Sequence, residues 1–237
     1  MKEKEKIGFH TVLNIGHRGN SALWHENTRT AFQQAVKDNV DMVETDARLT
    51  KDGVIVLMHN LTLMGLCGKF KFVRNLTFNE LQHYLPEIMT LNDFLNEFKD
   101  SFGINIEIKS KERNIEKPVL DLLDKYGLKE RVIISSFDYA ILERVRRFDK
   151  KVKIGMLFRH PFAPYLEKGK ELDAYAIHPF WALCNPELIK KCHKLGFKVY
   201  TWPVPRRLLK RYVKMGVDGI MTNYTHVLKN ILNKGNS

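Results

Sequence analysis

Short apolar runs alternate with amphipathic segments along almost the whole chain. The runs with β-strand character cover residues 12–15, 41–49, 104–109, 132–135, 152–157, 174–177, 198–202 and 219–222. The segments with helical spacing cover residues 29–38, 115–126, 138–148, 186–195, 206–215 and 224–232, and a further helix starts at Thr90. Strands that alternate with helices in this way are typical of a parallel α/β architecture.

Eight main strands with helices between them predict a (β/α)8 barrel, the TIM-barrel fold. At 237 residues the chain fits one such unit, so residues 1–237 are predicted to form a single domain. The turn Lys51-Asp52-Gly53 favours a tight hairpin, which would return residues 54–59 along the second strand. Residues 60–86 are less regular, with a short helix at 79–84, and are predicted to form a small insertion after this hairpin.

Two carboxylates lie two residues apart in the second strand. Side chains at positions i and i+2 of a strand point to the same face, so Glu44 and Asp46 are expected to project together. Two like charges on one buried face are costly unless a cation or a proton offsets them. Oxygen ligands suit hard divalent cations, and the pair therefore predicts a metal site for Mg²⁺ or Ca²⁺.

A third carboxylate has the same alternating pattern in the next strand. In residues 104–109 the sequence INIEIK puts Glu107 and Lys109 on one face and the isoleucines on the other. An exposed Glu/Lys ladder would require one face of the sheet to be open, whereas both faces of a parallel barrel are covered. Glu107 is therefore predicted to complete a three-carboxylate metal site, with Lys109 as a counter-charge for a phosphate.

Two histidines flank this acidic strand in sequence. His17 follows the first strand and is bracketed by Gly16 and Gly19, which allow close approach of the backbone to a ligand. His59 follows the hairpin return. Imidazole titrates near neutral pH and suits proton transfer, and the planar guanidinium of Arg18 suits phosphate oxygens. A structural role, as core histidines bonded to backbone, is the alternative interpretation.

The composition adds an electrostatic expectation. The formal net charge is +12 with a pI of about 9.5, which favours an anionic partner such as a phosphorylated small molecule and a weak attraction to anionic surfaces. The lysines are spread along the chain, and no aromatic-basic repeat indicates specific nucleic-acid binding. Three cysteines without a CxxC pair, a charged N-terminus and no apolar run long enough to span a bilayer predict a cytoplasmic protein without a transmembrane segment.

The combined motifs resemble the glycerophosphodiester phosphodiesterase family. The matching residues, in chain order, are His17-Arg18-Gly19, His25-Glu26-Asn27-Thr28, Glu44-x-Asp46, Lys51-Asp52-Gly53, His59, Glu107-x-Lys109, Ser135-Ser136-Phe137, His178-Pro179, Trp202 and Gly216-Val217-Asp218-Gly219. The resemblance implies hydrolysis of glycerophosphodiesters to glycerol 3-phosphate and an alcohol. It also implies His17 and His59 as catalytic residues, Glu44, Asp46 and Glu107 as ligands of a divalent metal ion, and phosphate or substrate contacts from Arg18, Lys109 and Trp202.

Several positions depart from the pattern of that family. Asn60 stands where the family usually has Asp after its second histidine, and Asn223 stands where an Asp often follows the eighth strand. Residues 64–67, Pro203 and Pro205 also differ. These departures are expected to affect the substrate pocket, and so the identity of the alcohol, rather than the reaction. Phe180 and Trp181 are predicted either to extend an apolar wall beside Trp202 or to be ordinary packing residues.

Two other functions remain open from the sequence. A phospholipase-D-like or phosphatidylinositol-phospholipase-C-like enzyme on the same barrel would act on a lipid and should expose an apolar loop. The region 70–78, with its phenylalanines and lysines, is a weak candidate for that loop. A barrel that binds phosphate without cutting it is the third interpretation, but it would not need two histidines and three carboxylates together.

Overall fold

The structure, a computed structural model, describes residues 12–109 and 114–234. Within these ranges eight parallel strands close into a barrel, because the first strand pairs with both the second and the last. A ninth strand, β3, pairs antiparallel with β2 and forms the predicted hairpin. The strands are β1 (Leu13–His17), β2 (Met42–Leu49), β3 (Ile55–Leu57), β4 (Gly103–Ile108), β5 (Val132–Ser136), β6 (Lys153–Phe158), β7 (Ala176–Pro179), β8 (Lys198–Thr201) and β9 (Gly219–Thr222). The predicted (β/α)8 barrel is confirmed.

Helices follow the barrel strands and cover the outside of the sheet. They are α1 (Arg29–Lys37), α2 (Met64–Cys67), α3 (Phe78–Tyr84), α4 (Leu91–Phe98), α5 (Glu116–Lys125), α6 (Tyr139–Phe148), α7 (Tyr165–Glu171), α8 (Pro186–Lys194), α9 (Leu209–Met215) and α10 (Thr225–Lys234). Short 3-10 turns lie at Val73–Asn75, Trp181–Leu183 and Arg206–Leu208. In the described part of the chain, no helix is both long and apolar enough to cross a membrane.

The strands bury both of their faces, and the two faces carry different residues. Residues such as Val43, Ile104 and Ile106 pack outward against the helices in the main core. Alternate positions point into the barrel, where a smaller apolar cluster forms a plug of Ile15, Met42, Ile133, Ala176, Tyr200 and Met221. Polar side chains occupy the next inward positions towards the carboxyl ends of the strands. The period of two therefore places chemistry-bearing residues above an apolar floor.

The insertion has its own small core beside the β2–β3 hairpin. Its apolar residues pack against buried residues of β3 in a separate cluster: Val56, Met58, Leu63, Val73, Leu76 and Leu81. Helix α3 begins with a capping box in which Thr77 and Glu80 satisfy each other's backbone amides. The insertion is therefore a packed layer in which α3 has a capped N-terminus.

One helix of the barrel was missed by the sequence prediction. Helix α7 has seven residues, contains Gly169, and buries only Leu166 and Gly169. A short segment with one large apolar anchor and an internal glycine gives too weak a helical period to recognise. The insertion also contains α2 and a 3-10 turn that the pattern did not predict.

The barrel interior leads to a prediction about packing. A Cβ added at Gly155 would lie 2.5 Å from Cε1 of the buried His178. We therefore expect Gly155→Ala to lower the free energy of unfolding by about 1–3 kcal/mol through overpacking, measured by urea denaturation. His178→Ala should relieve the clash, so the double variant should be more stable than the two single costs predict. Strictly additive costs would show that the two residues do not press on each other.

Candidate active site

Six of the eight site residues predicted from the sequence line one cavity at the carboxyl ends of the strands. The cavity has a volume of about 590 Å³ and is bounded by histidines, cations, Glu107 and aromatic rings. Its lining residues are His17, Arg18, Arg48, His59, Glu107, Lys109, Phe137, Tyr139, Leu157, Phe158, Arg159, His160, Ala163, Pro164 and Trp202. Parallel α/β folds bring residues from distant strands together at this edge, which explains the convergence.

Three carboxylates lie below this cavity and are almost completely buried. One oxygen from each of Glu44, Asp46 and Glu107 lies within 4.8 Å of the other two. Burial raises the pKa of Glu107 to about 7. Burial, together with the charges of Asp46 and Glu107, also raises the pKa of Glu44 well above its usual value. The cluster therefore carries negative charge that its surroundings do not fully offset.

Two basic side chains offset part of the negative charge of the three carboxylates. Lys109 Nζ lies 2.6 Å from Glu107 Oε1 and 3.2 Å from Asp46 Oδ1. Arg18 Nε lies 3.1 Å from Asp46 Oδ2, and Nη1 lies 2.7 Å from Glu26 Oε2. Burial alone would raise the pKa of Asp46, but Lys109 and Arg18 hold it well below its usual range. Asp46 is thus the ionised centre of the cluster, while Glu44 and Glu107 are the groups that still lack positive charge.

The donor set fits a hard divalent cation. Three carboxylate oxygens converge from two adjacent strands, and β2 and β4 are in a register that pairs Asp46 with Glu107. Carboxylate oxygens are the ligands that Mg²⁺ and Ca²⁺ prefer, and an added double charge would relieve the raised pKa values of Glu44 and Glu107. Glu44, Asp46 and Glu107 can therefore hold such an ion.

His17 is held by a contact that the sequence did not suggest. The Asn223 side-chain oxygen lies 2.7 Å from Nδ1 of His17. Because an amide oxygen only accepts, Nδ1 carries the proton in the neutral ring and Nε2 keeps its lone pair. Nε2 lies 4.0 Å from Glu44 Oε2. Burial and the charge of Arg18 lower the pKa of His17 to about 3, so the ring is neutral near pH 7.

A side-chain amide also contacts Nδ1 of His59, at a longer distance than in His17. Nδ1 of His59 lies 3.1 Å from the side-chain oxygen of Asn60, and the His59 backbone carbonyl accepts hydrogen bonds from Nε and Nη2 of Arg48 at 3.1 and 2.8 Å. Burial and the charge of Lys109 lower the pKa of His59. Two departures from the family pattern, Asn60 and Asn223, therefore contact the two histidines. The expectation that they affect only the alcohol pocket is too narrow.

The loop after β1 holds the acidic strand in place through an unusual backbone. Arg18, Gly19 and Asn27 all have positive φ, at 57°, 83° and 59°. A side chain at Gly19 would also collide with the backbone of Ala31, at 2.8 Å. The Asn27 side chain donates to Asp46 Oδ2 at 2.8 Å and accepts from Thr45 Oγ1 at 2.8 Å. Asn27 thus contacts Asp46, Glu26 pairs with Arg18, and Thr28 caps α1.

Aromatic rings form one wall of the cavity. Trp202 packs edge-on against Phe137 at a centroid distance of 5.2 Å, and its Nε1 donates to the backbone carbonyl of His178. Arg159 lies over the other ring of this pair, 5.9 Å from the Phe137 centroid. Phe180 packs against Trp202 and Trp181 packs against Phe180, and neither ring is part of the cavity lining. Of the three predicted wall residues, Trp202 alone lines the cavity.

Sequence reasoning missed several residues of this site. Arg48 and Tyr139 line the cavity from β2 and α6, and Arg159 and His160 line it from the loop after β6. Arg48 lies on the strand that carries Glu44 and Asp46, which is a signal that could have been used. The loop after β6 offers no such signal, because an exposed Arg-His pair is common on protein surfaces.

Comparison with known proteins gives consistent results. Residues 17–227 match the model of the glycerophosphoryl diester phosphodiesterase family. A glycerophosphodiester phosphodiesterase of Caldanaerobacter subterraneus is 34% identical over 242 residues, which covers 94% of this chain and 99% of that protein. The crystal structure of a glycerophosphodiester phosphodiesterase from Thermotoga maritima superposes with a TM-score of 0.82 at 29% identity, covering 94% and 100% of the two chains. A phosphodiesterase from Oleispira antarctica, solved with the product sn-glycerol-3-phosphate, has a TM-score of 0.80 at 21% identity, covers 92% of this chain and 96% of its own, and shows the shared fold.

The raised pKa of Glu107 leads to a prediction for the metal-free protein. Between about pH 4.5 and 7 the native wild type binds more protons at Glu107 than the unfolded chain does, so this group contributes a loss of stability as pH rises. Glu107→Gln lacks that penalty. We therefore expect the variant to gain stability relative to wild type across this window, measured by urea unfolding in EDTA.

The comparison with wild type is needed because other groups titrate in the same range. The lowered pKa values of His17 and His178 make stability rise with pH up to about 6.5, and these contributions cancel in the difference. A pH-independent difference between the two proteins would contradict the raised pKa of Glu107. Added Mg²⁺ or Ca²⁺ should reverse the difference, because wild type gains the binding free energy of the ion.

Proposed function

The chain belongs to the glycerophosphoryl diester phosphodiesterase family, and we propose that it hydrolyses glycerophosphodiesters to glycerol 3-phosphate and an alcohol. The family resemblance read from the sequence and the expectation of a phosphoric diester hydrolase are both confirmed at the level of the family. What supports the reaction in this chain is one arrangement. His17 and His59 line the same cavity, beside Arg18 and Lys109 and above the buried carboxylates.

The cations of the cavity are suited to a phosphodiester. Arg18 and Lys109 both line the cavity while their charges offset Asp46. A divalent ion held by Glu44, Asp46 and Glu107 would supply Lewis-acid polarisation of a phosphoryl oxygen and stabilise the charge that develops there. If such an ion offset the charge of the carboxylates, Arg18 and Lys109 could pair more strongly with phosphate oxygens. These two side chains would then bind and orient the diester.

Two proton transfers complete the reaction. One histidine removes the proton from the attacking oxygen, and the other donates a proton to the departing alkoxide. The attacking oxygen is either a neighbouring hydroxyl of the substrate, which gives a cyclic phosphate that water then opens, or water itself. Asn223 and Asn60 keep the Nδ1 proton on each ring, so Nε2 is the atom that exchanges protons. Lys109 and Arg18 help to lower the pKa of His59, and a bound anionic diester would offset that effect.

Other expectations stay predictions. The single domain of 1–237, the cytoplasmic location and the weak attraction to anionic surfaces follow from the sequence alone. The alternative of a lipid phosphodiester as substrate concerns the same chemistry with a larger substrate. A barrel that binds without cutting would not require two histidines whose ring nitrogens are oriented by amides.

The first experiment is a panel of glycerophosphodiesters incubated with Mg²⁺, with Ca²⁺ and with EDTA. We expect release of glycerol 3-phosphate with one or both cations and none in EDTA, which also identifies the preferred head group. Glu44→Gln and Glu107→Gln should abolish this release by weakening metal binding, measured separately by calorimetry. Full activity in EDTA, or cation binding that survives both substitutions, would contradict the metal site.

A second prediction separates the two histidines. His17→Ala and His59→Ala should each lower kcat by about 10²–10⁴-fold with metal binding retained. A p-nitrophenyl diester of glycerol 3-phosphate has a leaving group that needs no protonation. We expect it to restore turnover in the variant that lacks the acid and not in the variant that lacks the base. Near wild-type rates in His17→Ala would show that the proposed acid/base pair is wrong.

A further inference from the structure

Arg159 lines the active-site cavity near its mouth, away from the buried carboxylates. The register of β4, β5 and β6 pairs Glu107 with Ser135 and Ser135 with Gly155, so these three residues lie level with one another. Arg159 follows four residues after Gly155, and its backbone therefore lies roughly 13 Å further along the strand direction, at about 3.3 Å per residue. Arg159 thus borders the outer part of the cavity.

The charge of Arg159 is not offset by a neighbouring acid, unlike the charges of Arg18 and Lys109. Those two side chains both pair with Asp46. In the part of the chain that the structure describes, the side chain of Arg159 forms no ion pair, and its guanidinium lies over the ring of Phe137, 5.9 Å from the centroid. A cation that lines a cavity without an acidic partner is suited to bind an anionic group of the ligand.

The outer part of the cavity is unsuited to a cationic head group. Among the described residues that line the cavity, Glu107 is the only acid, and Lys109 Nζ lies 2.6 Å from its Oε1. Ammonium groups also bind to aromatic faces, but the guanidinium of Arg159 already lies over the ring of Phe137. A positively charged head group would therefore lie beside Arg159 with no carboxylate to offset the repulsion.

A diester whose phosphate lies beside Arg18 and Lys109 extends one of its arms towards the mouth of the cavity. The glycerol arm is uncharged, so a charge that reaches Arg159 must come from the alcohol arm. We propose that Arg159 is a specificity-determining residue, which favours diesters whose alcohol carries a second anionic group, a carboxylate or a phosphate, over diesters with a cationic or neutral alcohol. The planar guanidinium can donate two parallel hydrogen bonds to either anion. This inference rests on the proposed function.

The bonds that change are those of the hydrolysis proposed above. Water adds across the bond between phosphorus and the oxygen of the alcohol, that bond breaks, and the alcohol leaves with a proton and keeps its own anionic group. Arg159 would contact that group and not the reacting atoms. Its interaction is then equally strong in the ground state and in the transition state, so its effect is on KM rather than on kcat.

The test uses pairs of diesters that differ in one anionic group. Glycerophosphoserine has one carboxylate more than glycerophosphoethanolamine, and glycerophosphoinositol 4-phosphate has one phosphate more than glycerophosphoinositol. We expect kcat/KM to be about threefold to tenfold higher for the more anionic member of at least one pair, through a lower KM. The difference should shrink at high salt, and the pair with the larger ratio identifies the preferred anion.

Substitutions test whether the preference arises at Arg159. Arg159→Gln should abolish the difference in kcat/KM within each pair. Arg159→Lys should retain part of it, because an ammonium group keeps the charge without the planar fork. The matched control is Arg147→Gln, which removes the same charge from an exposed position in the last turn of α6, outside the cavity lining. The control should leave the ratio unchanged.

The outcomes distinguish this inference from the proposed function. Equal kcat/KM values within both pairs would overturn the role of Arg159 and leave the proposed function intact. A preference that survives Arg159→Gln, or that Arg147→Gln lowers as much, would also overturn it, because the preference would then come from other residues or from the net charge.

If no diester is cut, the proposed function fails, and calorimetry with O-phosphoserine and O-phosphoethanolamine decides the role of Arg159. Tighter binding of O-phosphoserine that Arg159→Gln abolishes would support that role. Equal affinities of the wild type for the two compounds would overturn it.

Discussion

The charge balance around Asp46 is the constraint on which the rest of the site depends. Three carboxylates are buried in the barrel within 4.8 Å of one another, and burying such charges is costly without compensation. Lys109 and Arg18 approach Asp46 from opposite oxygens, and Asn27 adds a hydrogen bond. Asp46 can then stay ionised, while Glu44 and Glu107 have raised pKa values. The buried negative charge therefore favours the binding of one more cation at this site.

The need to offset the charge of Asp46 explains the backbone conformation of the loop after β1. Arg18 must place its guanidinium beside Asp46 while its backbone amide donates to Glu44, and it does so with a positive φ. Gly19 must then pass against Ala31, where a side chain would not fit. Positive φ at non-glycine residues is uncommon, and such strain clusters at functional sites, where surrounding contacts hold it. The backbone conformation and the electrostatics of the site thus have a common cause.

Much of this could be read from the sequence because it follows from periodicity. The alternation in residues 104–109 puts Glu107 and Lys109 on one face, and the structure places both at the site beside Asp46. The sequence pattern did not predict features without a clear periodicity, or contacts between residues that are far apart in the chain. Helix α7 is short with a glycine inside, and the contact from Asn223 to His17 spans 206 residues. Asn60 and Asn223 were recognised as departures from the family pattern. Asn60 contacts its sequence neighbour His59, whereas the closure of the barrel brings Asn223 to His17.

The insertion shows why fold and substrate choice are separate problems. Strand register in the barrel fixes the three carboxylates, whereas His59 follows the hairpin and its Nδ1 lies against Asn60, the first residue of the insertion. Residues 60–86 pack in their own cluster and reach the site only at its edge, beside His59. Changes there can alter what lies next to the phosphate without disturbing the charge balance at Asp46. The insertion cluster shares no residue with the buried acidic cluster, so the fold and the acidic site can stay the same while residues 60–86 differ.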